Sequence, residues 1–286
     1  MREMIFWQAL AVAAIVLMGA ALDAADQPAA VYGSGARQFS LATGSPGELG
    51  LLKVLAEAFG KQNDAKMLWY KAGSGESLKL LKDKKVDLIM VHAPAVEKQA
   101  VKDGWAAKRT LIGSNEFFIV GPAPDPAKIA GATDTLDAYR RIAGAKAKFF
   151  SRGDNSGTHK KEMDIWKKAG ITPQGDWYVV TKDFMTATLK RANKEQGYFM
   201  VDSSTWVAEK KEAPDLKILF KGDKLLVNTY HALCQPKGAT PGAALAAWFI
   251  DFAASPHGQR IIGDYGKDRY NEGLYNDAAY AQKFDE

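Results

Sequence analysis

Ser151-Arg152-Gly153-Asp154-Asn155-Ser156-Gly157-Thr158-His159 stands between an apolar, strand-like run, Lys148-Phe149-Phe150, and a helical pattern over Lys160 to Ala169. The stretch puts one guanidinium, three hydroxyls and a flexible backbone at a strand-to-helix junction. The first amides of a helix lack intrahelical acceptors, and the helix dipole adds partial positive charge there. Gly157 lets a ligand approach the backbone closely, and Arg152 offers forked donors to an oxyanion. This chemistry suits a phosphate-like or metal-oxide anion. Ser, Asp, Asn and Thr are also ordinary helix caps, so the stretch reads as a site only in the company of others.

The rest of the chain supplies that company. Strand-like Gln38–Thr43 leads to helical spacing over Leu49–Gln62, then a strand at Ala65–Lys71, a helix at Gly75–Lys84 and a buried strand at Val86–His92. Glu116–Val120 reads as a further strand. Helices are expected at Leu136–Ile142, Lys160–Ala169 and Phe184–Asn193, with strands at Lys148–Phe150, Trp177–Thr181, Gly197–Val201 and Lys217–Phe220 between and after them. Such alternation predicts an α/β fold built on mixed, mostly parallel sheets flanked by helices. Gly121 to Lys128 carries Pro122, Pro124 and Pro126 and reads as a crossing into a second lobe, with Leu225–Cys234 returning to the first. The expected organisation is therefore a leader over 1–24, a first lobe of 37–121 plus 225–286, and a second lobe of 122–224. Two lobes leave a cleft, and ligands of open α/β sheets sit at the carboxyl ends of strands.

Three more loops fall at such ends: Thr43-Gly44-Ser45, Gly73-Ser74-Gly75 and Gly113-Ser114-Asn115. Each joins hydroxyls or amides to small residues. Together with Ser151, Arg152, Ser156, Gly157 and Thr158, they form the candidate ligand site: Thr43, Gly44, Ser45, Gly73, Ser74, Gly75, Ser114 and Asn115 on their side. Each loop taken singly is equally well a turn chosen for its geometry.

The N-terminus has Arg2, an apolar run from Ile5 to Leu22 and small residues at Ala20, Ala21, Ala24 and Ala25, followed by Asp26-Gln27-Pro28. That pattern predicts a cleaved secretory signal and a periplasmic protein, the alternative being a membrane anchor. Cys234 is the single cysteine, so no intramolecular disulfide forms, and its apolar neighbours mark it as buried. The chain is 47% hydrophobic and 25% charged, which is globular. Its formal charge of +5 is spread among acids, which agrees with an anionic ligand and offers little to nucleic acid. Nucleophile-elbow, phosphate-loop, zincin and dinucleotide-binding motifs are missing from the sequence. The expectation is a binding protein rather than an enzyme, with no cofactor and no metal. His159 and Glu162 supply two metal ligands at most, and His92, His231 and His257 are scattered. Alternatives are an exported hydrolase of phosphate or sulfate esters using Ser156 and His159, and a sensing partner of a membrane signalling protein.

The chain also resembles the tungstate-binding, substrate-binding components of ABC importers, which are class II periplasmic binding proteins. The resemblance runs from about Phe39 to Ile262. It is carried by Phe150 to Glu162, by Val91-His92-Ala93-Pro94-Ala95-Val96-Glu97, by Phe117 to Ala127 and by Trp166 to Ile171. It implies a two-lobed type II fold, capture of a tungstate-like oxyanion in the interlobe cleft, delivery to an inner-membrane ABC permease, and a monomer. The family's first threonine-rich loop is Ala42-Thr43-Gly44-Ser45-Pro46 here, its Gly-Thr-Gly is Gly73-Ser74-Gly75, and its Asp-Arg-Gly-Thr is Asp202-Ser203-Ser204-Thr205. Phosphate or another small anionic solute is thus also open. Glu48 and Glu76 flank two of the loops. Facing the ligand, they would favour a protonated anion; facing solvent, they leave room for a proton-free dianion.

Overall fold

The computed structural model describes residues 27–285, and the leader expected over 1–24 lies outside them. Strand β1 (Ala30–Tyr32) precedes β2 (Arg37–Thr43), which feeds the single turn α1 (Ser45–Glu48) and α2 (Leu51–Asn63). β3 (Ala65–Lys71) feeds α3 (Ser74–Lys82), and β4 (Leu88–Val91) feeds α4 (Pro94–Lys102). A strand of 16 residues, β5 (Ala107–Pro122), follows. Then come α5 (Thr135–Gly144), β6 (Phe149–Ser151), α6 (Gly157–Lys168), β7 (Tyr178–Val180), α7 (Met185–Lys194), β8 (Tyr198–Asp202), α8 (Ser203–Glu209) and β9 (Leu216–Phe220). β10 (Val227–Cys234) leads to α9 (Ala243–Ala254), α10 (Pro256–Asp264), α11 (Lys267–Tyr270) and α12 (Ala278–Ala281). None of the described helices is long and apolar enough to cross a membrane.

The strands run in the order β1-β3-β2-β4-β10-β5-β8-β6-β7, with β9 on β5. Strands followed by helices pair in parallel: β2 with β3 and β4, and β6 with β7 and β8. The connecting strands β5 and β10 pair antiparallel with their neighbours. The sheet is therefore mixed in nearly equal parts rather than mostly parallel, because antiparallel crossings join two parallel units.

Side chains of a strand alternate between faces, and both faces are filled. Phe39, Leu41, Leu88 and Met90 enter the core under α2 and α9 with Phe59 and Phe249, whereas Ala42, Ile89 and Val91 enter the opposite core with Leu78 and Leu81 of α3. The second lobe has its own core around Phe149, Tyr139 and Trp166, whose rings lie edge to face at 4.4 Å for Tyr139–Trp166 and 5.2 Å for Phe149–Trp166. Cys234 is buried, as its neighbours predict.

β5 serves both lobes. From Ala107 to Glu116 it pairs with β10, and from Phe117 to Pro122 it pairs with β8 and β9. The change of partners falls between Glu116 and Phe117, ahead of the proline-rich segment. Phe117, Ile119 and Val120 already belong to the second core. Pro122 ends the strand.

Candidate functional site

The carboxyl ends of β2, β3, β4 and β6 bring the polar loops together. Thr43 is buried at the end of β2, where its hydroxyl donates to the Met90 carbonyl at 2.8 Å. Its own carbonyl accepts from Trp69 Nε1 at 3.1 Å and from the Ala72 amide at 3.2 Å. Thr43 thus binds three strand ends together, and its proton is already engaged. Gly44 and Ser45 open α1, where Pro46 has no N–H. Gly73 caps α3, and the Ser74 hydroxyl accepts from the His92 amide at 3.3 Å. The amides of Gly44, Ser45, Ser74 and Gly75 have no acceptor among the described residues.

In the second lobe, Ser156 caps α6 by accepting from the His159 amide at 3.3 Å. The next two amides, Gly157 and Thr158, have no acceptor among the described residues, and neither does the Thr158 hydroxyl. They are the groups a helix start offers to an anion. Arg152 is only 5% exposed. Its Nη2 donates to Asp154 Oδ2 at 2.6 Å and its Nε to the Asp183 carbonyl at 3.3 Å. The guanidinium lies 5.5 Å from the Phe184 ring centroid, and Lys71 of the first lobe reaches the same ring at 4.2 Å. Asp154 is held in turn by the Ser156 amide, at 3.1 Å.

The two lobes touch through glycines. A Cβ on Gly73 would stand 3.1 Å from the Ser156 Cβ, one on Gly75 would overlap the Asn155 backbone, and one on Gly157 would overlap the His92 ring. Helices α3 and α6 therefore meet start to start, with open amides on both sides.

His92 belongs to this meeting point. Its ring packs 5.1 Å from Tyr230 and 6.1 Å from Phe117, and its buried Nδ1 has no partner. Burial holds its pKa down to about 3, with the positive charges of Arg152 and Lys161 adding to the effect. Burial is the main reason the imidazole stays neutral, and an anion would relieve only the part that the cations add. In the chain its signal is faint: a histidine at the end of a buried strand, before a proline-started helix.

Neither flanking carboxylate is left as an open acceptor on the cleft side. Glu48 pairs with Lys71 at 2.6 Å, and Glu76 is exposed. Apart from Asp154, occupied by Arg152 and Ser156, the gathered groups are donors or cations.

Other expected members lie elsewhere. Gly113-Ser114-Asn115 is no loop but the middle of β5, paired with β10. Ser114 bridges to Asn276. Asn115 donates to Asp202 at 3.2 Å and to Ser204 at 2.9 Å, and accepts from Asn228 at 2.7 Å. It is a buried polar tie where the strands change lobe. Sheet pairing, which single-sequence turn composition does not carry, decided both. Ser151 is buried beside Glu162 and Tyr178, beneath α6 rather than in the cleft. His159 Nδ1 accepts from the Asn155 amide at 3.1 Å, while Glu162 accepts from Tyr178 at 2.7 Å and Trp166 at 3.2 Å. Thus His159 is engaged neither with Glu162 nor as a base on Ser156. Among the described residues no group of three or more His, Cys, Asp or Glu is placed to hold a metal ion.

Residues 29–257 match the family model described as PBP superfamily domain. The tungstate-binding protein TupA of Peptoclostridium acidaminophilum is 36% identical over 237 residues, 82% of each chain. A crystal structure described as the tungstate ABC transporter from Geobacter sulfurreducens superposes with a TM-score of 0.73 at 38% identity, covering 81% of this chain and 100% of that one. The tungstate-binding protein TupA of Desulfovibrio alaskensis G20 superposes with a TM-score of 0.70 at 37% identity, covering 85% and 99%.

Proposed function

We propose that this protein, which belongs to the PBP superfamily and within it to the tungstate-binding proteins of ABC importers, holds a tungstate-like oxyanion between its lobes and delivers it to an ABC permease. It is a binding protein and not an enzyme, like the relatives it matches. The observation that carries the reading is the start-to-start meeting of α3 and α6 beside a buried Arg152. The open amides of Ser74, Gly75, Gly157 and Thr158 converge there, with Gly44 and Ser45 at the neighbouring strand end. Arg152 neutralises charge, and the Thr158 and Ser45 hydroxyls donate.

A site made of donors discriminates by proton count. A tetrahedral dianion without protons accepts every bond offered. Hydrogen phosphate carries a proton that needs an acceptor, and the nearby carboxylates Glu48 and Asp154 are already paired. This favours tungstate, molybdate or sulfate over phosphate.

The mechanism is hinge closure. β5 and β10 change lobes together near Glu116 and Val227, and a bound anion bridges donors from both sides, stabilising the closed form. The first lobe comprises 37–116 plus 227–285 and the second the chain between, acting as a monomer exported to the periplasm by a cleaved leader. Calorimetric titration with tungstate, molybdate, sulfate and phosphate tests the reading. Tight binding of a proton-free dianion with weaker or no binding of phosphate is expected; no heat with any of the four overturns it.

A further inference from the structure

A cavity of about 580 Å³ opens from His92 and Gly157, at the edge of the proposed seat, toward solvent. Its walls come from the start of α4, the face of α6, the lead into β10 and the last residues of the chain. Five lysines line it: Lys160, Lys161, Lys168, Lys224 and Lys283. Its two carboxylates are already matched with cations. Asp164 pairs with Lys168 at 2.7 Å, and Asp285 lies 3.4 Å from Arg109 and 3.1 Å from His231. With Lys168 matched to Asp164, the exposed Lys224 and Lys283 are the ones whose charges reach into water. The cavity is far larger than a tetrahedral oxyanion needs, and its donors are flexible stems rather than fixed amides. Such a wall suits a hydrated anion in transit better than one held.

We infer that this lysine-lined vestibule is a capture site for small dianions, which it gathers from solvent and passes along the cleft edge at His92 and Gly157 to the seat. The inference rests on the oxyanion reading above and adds a kinetic role to it. Concave, single-sign surfaces raise the local concentration of an opposite charge and its association rate, an effect that salt screens. The vestibule should therefore set the association rate and leave dissociation to the seat.

Stopped-flow binding of molybdate and sulfate, read by Trp69 beside the first loop, tests this at low and high ionic strength. The paired substitution Lys224→Glu and Lys283→Glu is compared with Lys61→Glu and Lys85→Glu. The second pair changes the net charge equally, at exposed positions outside the vestibule. The vestibule pair should lower the association rate on the order of tenfold at low salt, with the difference shrinking at high salt and dissociation within about twofold of the parent. Binding with association rates equal in the two pairs overturns the capture role alone. Failure of the parent protein to take up either anion overturns the seat reading and this inference with it.

Discussion

The ring of His92, just past the end of a first-lobe strand, lies against Gly157, the first residue of the second-lobe helix α6. No side chain fits between them. The pair closes one edge of the space in which the starts of α3 and α6 face each other, and it explains why glycine stands at a position that has no left-handed backbone to accommodate.

Gly157→Ala should therefore act as a wedge. Its methyl overlaps the imidazole, so closure must displace a ring buried among Tyr230 and Phe117. Affinity is expected to fall at least tenfold with little change in the stability of the unliganded protein. Adding His92→Ala should recover part of the loss. Calorimetry on the two single variants and the double variant measures the coupling; additive losses would mean that the contact does not govern closure.

Arg152→Ala should weaken oxyanion binding at least tenfold, since a hydrogen bond to a charged group contributes roughly 1.5–3 kcal/mol. The loss is expected to exceed that of Thr158→Val, because it also strips Asp154 of its cation and leaves a carboxylate beside the anion. Titration of both variants checks the order.

His92 links binding to protons. Its pKa is held down to about 3 by burial and by neighbouring cations, so in the unliganded protein it stays neutral and opposes folding only as pH falls below its unfolded value of about 6.5. Stability from this group is present above that pH and is lost progressively down toward pH 3. A bound dianion offsets the cations, though not the burial that is the larger cause, and so raises the pKa from about 3; sulfate affinity should therefore rise as pH falls toward that raised value. The proof is proton uptake on binding, seen as a dependence of the calorimetric heat on buffer ionisation enthalpy, and its disappearance in His92→Gln.

Glu162 behaves in the opposite sense. Burial beneath α6 pushes its pKa up to about 7, against the hydrogen bonds from Tyr178 and Trp166 that pull it down. The fold favours the protonated acid, so its contribution is fully present below about pH 4.5 and is lost as pH rises through 7. The shift corresponds to on the order of 3 kcal/mol. Glu162→Gln, which keeps an acceptor for Tyr178, should raise the melting temperature at pH 8 and flatten its fall between pH 5 and 8. A variant less stable than the parent at pH 8 would show that the carboxylate is held ionised.

Asn115→Ala should destabilise the protein by about 1–3 kcal/mol, because Asn228 and Asp202 each lose a buried partner. Chemical denaturation measures this. The affinity loss per unit of stability lost should be smaller than for Arg152→Ala, since the bonds Asn115 makes tie the crossing strands.

Much of this was legible in the chain. Period-two runs such as Phe39–Ala42 and Leu88–Val91, filled on both faces, require a helix-covered sheet, and hydroxyl- and glycine-bearing segments after β2, β3 and β6 fall at strand-to-helix junctions. These features arise between residues close along the backbone, so sequence alone determined them. What it could not carry was which distant segments meet. Ser114 and Asn115 have the composition of a turn, yet pairing with β10 draws them into the middle of a long strand. Ser151 sits inside the most telling stretch and yet points beneath the helix, because strand alternation turns it from Arg152. His92, unremarkable in sequence, reaches the centre because the order of strands carries β4 beside β10 and opposite α6. Local periodicity fixes elements; only the packing of two lobes against each other decides which of their ends share one small space.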